Sequence, residues 1–222
     1  MAILSQVRPI NLREQVVQQI RTAIIEGRIK PNDHITEAML TEQLGVSRTP
    51  VREALILLER EGLVVAAPNR GCFVRAFTER SVSEIFSMRT TLENFAARLI
   101  IESLQPSDIV SLRESIEQQR AAIEQNDFKQ VRRIDMAFHE FLIVKSNHEL
   151  LIQNWTAIVA QIAAVLYLRA EAIKDYDEYQ SLQDHTAIVD AYAARDLARL
   201  MLLNEQINLR VAGECVRAVQ KP

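Results

Sequence analysis

With 222 residues, 48% of them hydrophobic and 25% charged, the chain has length for one large or two small domains with a real core. Its net charge of −3 is unevenly shared, +2 over residues 1–78 and −5 beyond, and that N-terminal excess is too small to announce a nucleic-acid ligand by itself. Cys72 and Cys215 lie far apart without a CxxC neighbour, MAILSQVRPI lacks signal-peptide regions, and the most apolar run, Ile158 to Leu168, is half a membrane span broken by Gln161; a reduced, cytoplasmic, non-membrane protein is expected.

Hydrophobic spacing predicts a first helix from Asn11 to Glu26, with Leu12, Val16, Ile20, Ala23 and Ile24 on one face and Gly27 as its stop. Lys30 to Asp33 reads as a turn, and Thr36 can cap a short helix carrying Met39, Leu40 and Leu44. Gly45 suits a left-handed turn, after which Ser47 and Thr49 offer cap oxygens to a new helix that tolerates Pro50 in its first turn. In that helix Val51, Ala54, Leu55 and Leu58 form one apolar stripe, flanked by Arg48 and Arg52 near its start. This is the helix-turn-helix pattern; the plainer alternative is two packed helices with surface arginines. Gly62 ends the second helix, Leu63-Val64-Val65 begins a β run, Pro68 to Gly71 is turn chemistry, and Cys72 to Val74 returns, which makes a wing with Arg70 at its tip.

A linker at Ala76 to Glu79 divides the chain into a winged helix-turn-helix over 1–76 and an all-helical bundle over 79–222, so the fold class is mainly α. Beyond Glu79 the reading finds no strand, one Gly and two Pro, with helices at 79–103, 107–126, 127–146, 148–173, 180–194 and 196–218. Pro106-Ser107 and Asn126-Asp127 mark helix starts, and Asn147 stands where the chain needs a residue tolerant of a left-handed backbone.

Two sets of residues can carry chemistry. Arg48, Thr49 and Arg52 sit in the first turns of the second helix, where a helix N-terminus favours phosphate and an Arg fork can take two acceptors on a guanine edge. Asp135 and His139 are one helical turn apart, and His185 lies among Leu182, Ile188, Val189 and Tyr192, so it should point inward. A carboxylate and imidazoles so placed can share a metal; equally, they can be a solvated Asp–His pair and a hydrogen-bonded core histidine.

SRTPVREAL, followed by EGLV and NRG, resembles the DNA-binding domain of GntR-family transcription regulators from about Leu12 to Val74. DMAFH followed by HTAIVDAYAARD is similar to the FCD ligand-binding domain of the FadR subfamily, from about Glu79 to Arg217. The resemblance implies DNA contacts from Arg48, Thr49, Arg52, Arg70 and Gly71, with fewer phosphate contacts from the first motif helix, where Ala38 and Met39 replace an Arg-bearing pattern. It also implies a divalent metal (zinc, nickel or manganese) at Asp135, His139 and His185, but the third histidine of the pattern falls on Ile207. Asn204, one turn earlier, can offer an amide oxygen, though Asn is a poor transition-metal ligand, and a metal-free pocket stays open. Arg89 holds the place where such domains meet an acidic effector; its alternative is a surface arginine paired with Glu93. The expected protein is therefore a dimeric regulator of the repressor type that binds a palindromic operator and answers to a small carboxylate. The alternative is a metal-dependent hydrolase-like helical domain built on Asp135, His139 and His185 and fused to a DNA-binding module.

Overall fold

The computed structural model describes residues 12–67, 71–173 and 176–220. The chain forms two compact units, one up to Ala76 and one from Phe77 onward.

In the first unit α1 (Leu12–Ile25), α2 (Glu37–Leu44) and α3 (Arg48–Arg60) pack beside a small sheet. Val16, Val17 and Ile20 of α1 meet the stripe Val51, Ala54 and Leu58 of α3, and all six are buried. Burial of such side chains contributes about 1.5–3 kcal/mol each, far more than helix propensity supplies. Arg21 Nε donates to Glu61 Oε2 at 2.8 Å and ties α1 to the residue that closes α3.

The turn between α2 and α3 follows the sequence. Thr36 caps α2 by accepting from the Met39 N–H at 3.1 Å, and Gly45 closes it at φ 64°, where a Cβ carries a steric cost. Ser47 is the residue before α3, but its side chain makes no capping hydrogen bond, and Thr49 lies inside the helix. The first N–H groups of α3 are thus left without a side-chain cap, open to an outside acceptor.

The wing strands are β2 (Val64–Ala67) and β3 (Gly71–Val74), antiparallel, with Val64 opposite Val74 and Ala67 opposite Gly71. Leu63 belongs to the buried core ahead of the strand rather than to it. A two-residue strand, β1 (His34–Ile35), adds to the free edge of β3, giving the order β1-β3-β2. Its shortness hid it in the sequence, where only the preceding turn was legible. Gly71 sits at φ 86°, a backbone that favours glycine, and a Cβ there would stand 2.5 Å from His34 Nε2, so the exposed His34 ring would have to move aside. The wing tip, with Arg70, lies outside the described residues.

The second unit contains α4 (Glu79–Ile100), α5 (Pro106–Glu124), α6 (Phe128–Lys145), α7 (Glu149–Ala172), α8 (Tyr179–Ala193) and α9 (Leu197–Val219). Helix starts carry local side-chain bonds: Thr78 for α4, Asp127 for α6, His148 for α7 and Asp196 for α9. Pro106 opens α5, and Asp108 reaches back to accept from the Gln105 N–H at 2.9 Å. Asn126, Asn147 and Arg195 take positive φ in the short turns between helices. Asn does so with little cost, since its side chain can bond the local backbone.

Helix α7 is apolar and long enough to cross a membrane by length and composition. It packs against α4, α6 and α9, with Trp155, Ile162 and Val165 fully buried. Around Phe138, Ile100, Leu112 and Leu200 the core is continuous across α4, α5, α6, α8 and α9. That core holds the inward-facing polar residues of α4, α6 and α8 in place.

Candidate functional site

Each unit presents its own cluster of functional side chains. In the first, Arg48, Thr49 and Arg52 all lie exposed on the first turns of α3. Arg52 is not free to swing: its Nε donates to Glu37 Oε1 at 2.8 Å and its Nη2 to Glu37 Oε2 at 3.2 Å. This two-point pairing links α3 to the first turn of α2 and sets the plane of the guanidinium. The Arg52 hydrogen bond holds the Glu37 carboxyl below its ordinary range. Glu37 was not singled out in the sequence, because its partner is fifteen residues away across a turn.

In the second unit, Asp135 and His139 project from α6 and His185 from α8 into one cavity of about 30 Å³. Arg89, Arg169, Tyr176 and Ile207 also line it. One ligand-type atom from each of Asp135, His139 and His185 lies within 4.8 Å of the others. His185 Nε2 stands 3.3 Å from His139 Nε2 and 3.4 Å from Asp135 Oδ1.

The outer nitrogens of both rings are fixed by neighbours. His139 Nδ1 lies 2.9 Å from Glu93 Oε1, and His185 Nδ1 lies 2.9 Å from Gln119 Oε1. Gln119 is oriented by its own Nε2, which donates to Ser181 Oγ at 3.0 Å, so its oxygen faces the ring. Both imidazoles therefore donate through Nδ1, which turns the Nε2 of each ring toward the cavity. Two ring nitrogens 3.3 Å apart, with a carboxylate beside them, call for a cation between them. The donor set, with a carboxylate and an amide oxygen orienting the rings from outside, fits a divalent metal such as zinc.

Electrostatics agree with this arrangement. Burial raises the Asp135 carboxyl, but His185, His139, Arg89 and Arg169 outweigh it and leave it below the ordinary value. Burial pushes the His185 imidazole down to about 3, so the ring is neutral at ordinary pH. Phe138 stacks on it with centroids 4.0 Å apart, which fixes the ring plane.

Arg89 is not a surface residue: it is 4% exposed. It is nonetheless paired with Glu93, from Nε to Oε1 at 2.8 Å, while Asn208 Nδ2 donates to Glu93 Oε2 at 2.7 Å. Glu93 thus joins Arg89, His139 and Asn208; burial raises its carboxyl, and Arg89 and His139 overcome that and hold it far below the usual range. Its i, i+4 relation to Arg89 was visible in sequence, but the second and third partners, His139 and Asn208, were not.

Ile207 lines the cavity itself, so the place of a further ligand is apolar. Asn204 stands apart. Its Nδ2 donates to Asn94 Oδ1 at 3.0 Å, and it lines a smaller pocket of about 10 Å³ with Glu93, His139 and Tyr192 rather than the cavity of Asp135 and His185. Arg169 and Tyr176 were missed, since neither belongs to a recognisable spacing.

Comparison with known proteins matches each unit to a family. Residues 12–74 match the family described as bacterial regulatory proteins, gntR family, and residues 84–207 match the FCD domain. The HTH-type transcriptional regulator YdhC of Bacillus subtilis (strain 168) is 33% identical over 130 residues, a stretch covering 58% of this chain and 58% of that protein. The gluconate operon transcriptional repressor of the same organism is 26% identical over 191 residues, covering 84% of this chain and 78% of the relative. Among solved structures, E. coli McbR/YncC superposes with a TM-score of 0.81 at 26% identity, covering 96% of this chain and 99% of that one.

Proposed function

Since the chain belongs to the GntR family of bacterial regulatory proteins, in the branch that carries an FCD domain, we propose that it is a repressor released from a palindromic operator by a small carboxylate. It is a DNA-binding transcription regulator with an effector-binding domain, and its relatives are regulators rather than enzymes. The hydrolase alternative is set aside on that ground. Residues 1–76 read DNA and residues 79–222 sense the effector and dimerise, in the cytoplasm where the operator lies.

The roles follow from the side chains. Arg48 and Thr49 meet phosphate or base edges at the uncapped start of α3, and Arg52 reads a guanine edge in the orientation that Glu37 gives it. Arg70 and Gly71 extend the contact through the wing. In the helical unit Asp135, His139 and His185 hold a divalent metal, zinc, nickel or manganese, which when bound supplies a positive centre for a carboxylate oxygen. Arg89 lies at the same cavity and receives the acid's charge. Asn204 acts one layer behind the effector, through the pocket it shares with His139.

The observation that carries this reading is the pair of oriented imidazoles facing Asp135 in a cavity that also holds a buried guanidinium. Effector binding favours one arrangement of the bundle over another. In a two-fold dimer that change alters the separation of two recognition helices, which must match half-sites about one helical turn apart. The test is metal content of the protein purified without chelator. About one equivalent per chain, lost in the His139→Ala variant, is expected; a metal-free protein that takes up none from excess zinc would remove the metal from the mechanism.

A further inference from the structure

Arg169 is a second guanidinium at the cavity of Asp135, and its hydrogen-bonding capacity is only partly used. It lies on α7, is 9% exposed, and lines the same cavity as Asp135, His139, His185 and Arg89. Among the described residues its guanidinium makes one hydrogen bond, from Nη1 to Glu214 Oε2 at 3.2 Å, long for an ion pair. Glu214 is shared, because its Oε1 accepts from Arg210 Nη1 at 3.3 Å. Arg210 has a further and shorter partner in Asp184, another residue of the cavity wall. Among the described residues the Arg169 Nε–H, shut off from solvent, has no hydrogen-bond partner. The ring of Tyr176 lies 4.4 Å from the guanidinium carbon and covers one face, leaving the edge for hydrogen bonding. Arg89, by contrast, is matched by a buried carboxylate of its own.

A buried guanidinium with an unfilled donor at the edge of a cavity is a place for an oxyanion. We propose that Arg169 is a second anion anchor of this cavity and that the effector is a small dicarboxylate. One carboxylate engages the Asp135–His139–His185 and Arg89 side, and the other takes the free edge of Arg169 beneath Tyr176. The cavity of about 30 Å³ has room for about two waters, so even a three-carbon diacid must widen it on entering, and longer acids must widen it more. Binding also competes with Glu214 on α9 for Arg169, so occupancy of the cavity is felt directly by the last helix. This inference rests on the carboxylate-effector reading above and narrows it to acids with two charged ends.

The experiment titrates the full-length, zinc-equilibrated protein by calorimetry with two matched pairs, acetate against malonate and propionate against succinate. The diacid of at least one pair is expected to bind ten times more tightly than its monoacid. Arg169→Gln should abolish that preference, bringing diacid and monoacid affinities together, and Arg169→Lys should retain part of it. Equal affinity within both pairs, or a preference that survives in Arg169→Gln, overturns the proposal and leaves the carboxylate reading standing. If no acid of either pair binds, the carboxylate reading and this proposal fall together. Should Arg169→Gln fail to fold, Arg169→Lys carries the same comparison, and a diacid preference undiminished in it overturns the proposal.

Discussion

Replacing Glu93 by alanine tests whether the helical unit is held together around a buried charge. The substitution strands three groups at once: the Arg89 guanidinium, the His139 Nδ1–H and the Asn208 amide. Arg89 is 4% exposed. Removing one partner of a buried pair costs about 3–5 kcal/mol, most of it the penalty for the charge left behind. Each stranded neutral donor adds about 1–3 kcal/mol if it finds no new acceptor. A loss of about 4 kcal/mol is expected, most of the stability of an ordinary domain. Urea denaturation at pH 7, followed by helical circular dichroism, measures it. The double variant Arg89→Met/Glu93→Leu should recover much of the loss, because both charges are then gone. The pH dependence is a second check. The Glu93 carboxyl is depressed in the folded state, so its contribution is complete above the usual carboxylate range near 4.5 and is lost as pH falls through the lower folded value. The gap between wild type and Glu93→Ala should therefore stay constant from pH 7 to 5. A loss below about 1 kcal/mol, a value typical of exposed pairs, would refute the reasoning, as would a double variant no better than the single one.

Three other predictions concern the same sites. Ile207→His places a fourth ligand at the cavity wall and should tighten zinc binding by at least an order of magnitude in titration calorimetry; unchanged affinity would mean that position 207 does not face the metal. Arg52→Ala should weaken binding to a selected operator by about 5- to 150-fold if it reads a base, whereas Glu37→Ala should raise non-specific DNA affinity and lower the ratio of specific to non-specific binding. Equal affinity of Arg52→Ala and wild type for that operator would take Arg52 off the contact surface. His185 is neutral in the fold with its pKa pushed down to about 3, while the unfolded ring takes a proton near 6.5. Metal-free wild type should thus lose up to about 1.4 kcal/mol per pH unit below 6.5 relative to His185→Phe, and parallel pH curves would contradict this.

Much of the fold could be read from local chemistry. The helices beyond Glu79 begin and end within a few residues of their expected limits because Pro106, Asp127 and Asp196 act through their own backbones. Gly45 and Asn147 take the left-handed conformations their positions required. What escaped was everything decided by distant partners. β1 exists only because β3 offers it an edge. For Arg89 the sequence leaves open a pocket arginine or a solvent-exposed partner of Glu93, and its burial becomes visible only once α6 and α9 close over that pair. The Asp135–His139 spacing was plain, but the tautomers of both histidines are set by Glu93 and Gln119, from α4 and α5. Arg169 carries no motif, and its role emerges only from the cavity it shares with residues far away in sequence.

The central claim is that occupancy of the cavity changes affinity for DNA. The direct measurement is fluorescence anisotropy with a duplex selected from a random pool, titrated with zinc-equilibrated protein in the presence and absence of malonate. Wild type should lose about 5- to 150-fold in affinity when malonate is present, the usual range of coupling between two sites, and His139→Ala/His185→Ala should lose nothing. Equal affinity with and without malonate in wild type, or a loss that persists in the double variant, would contradict the account.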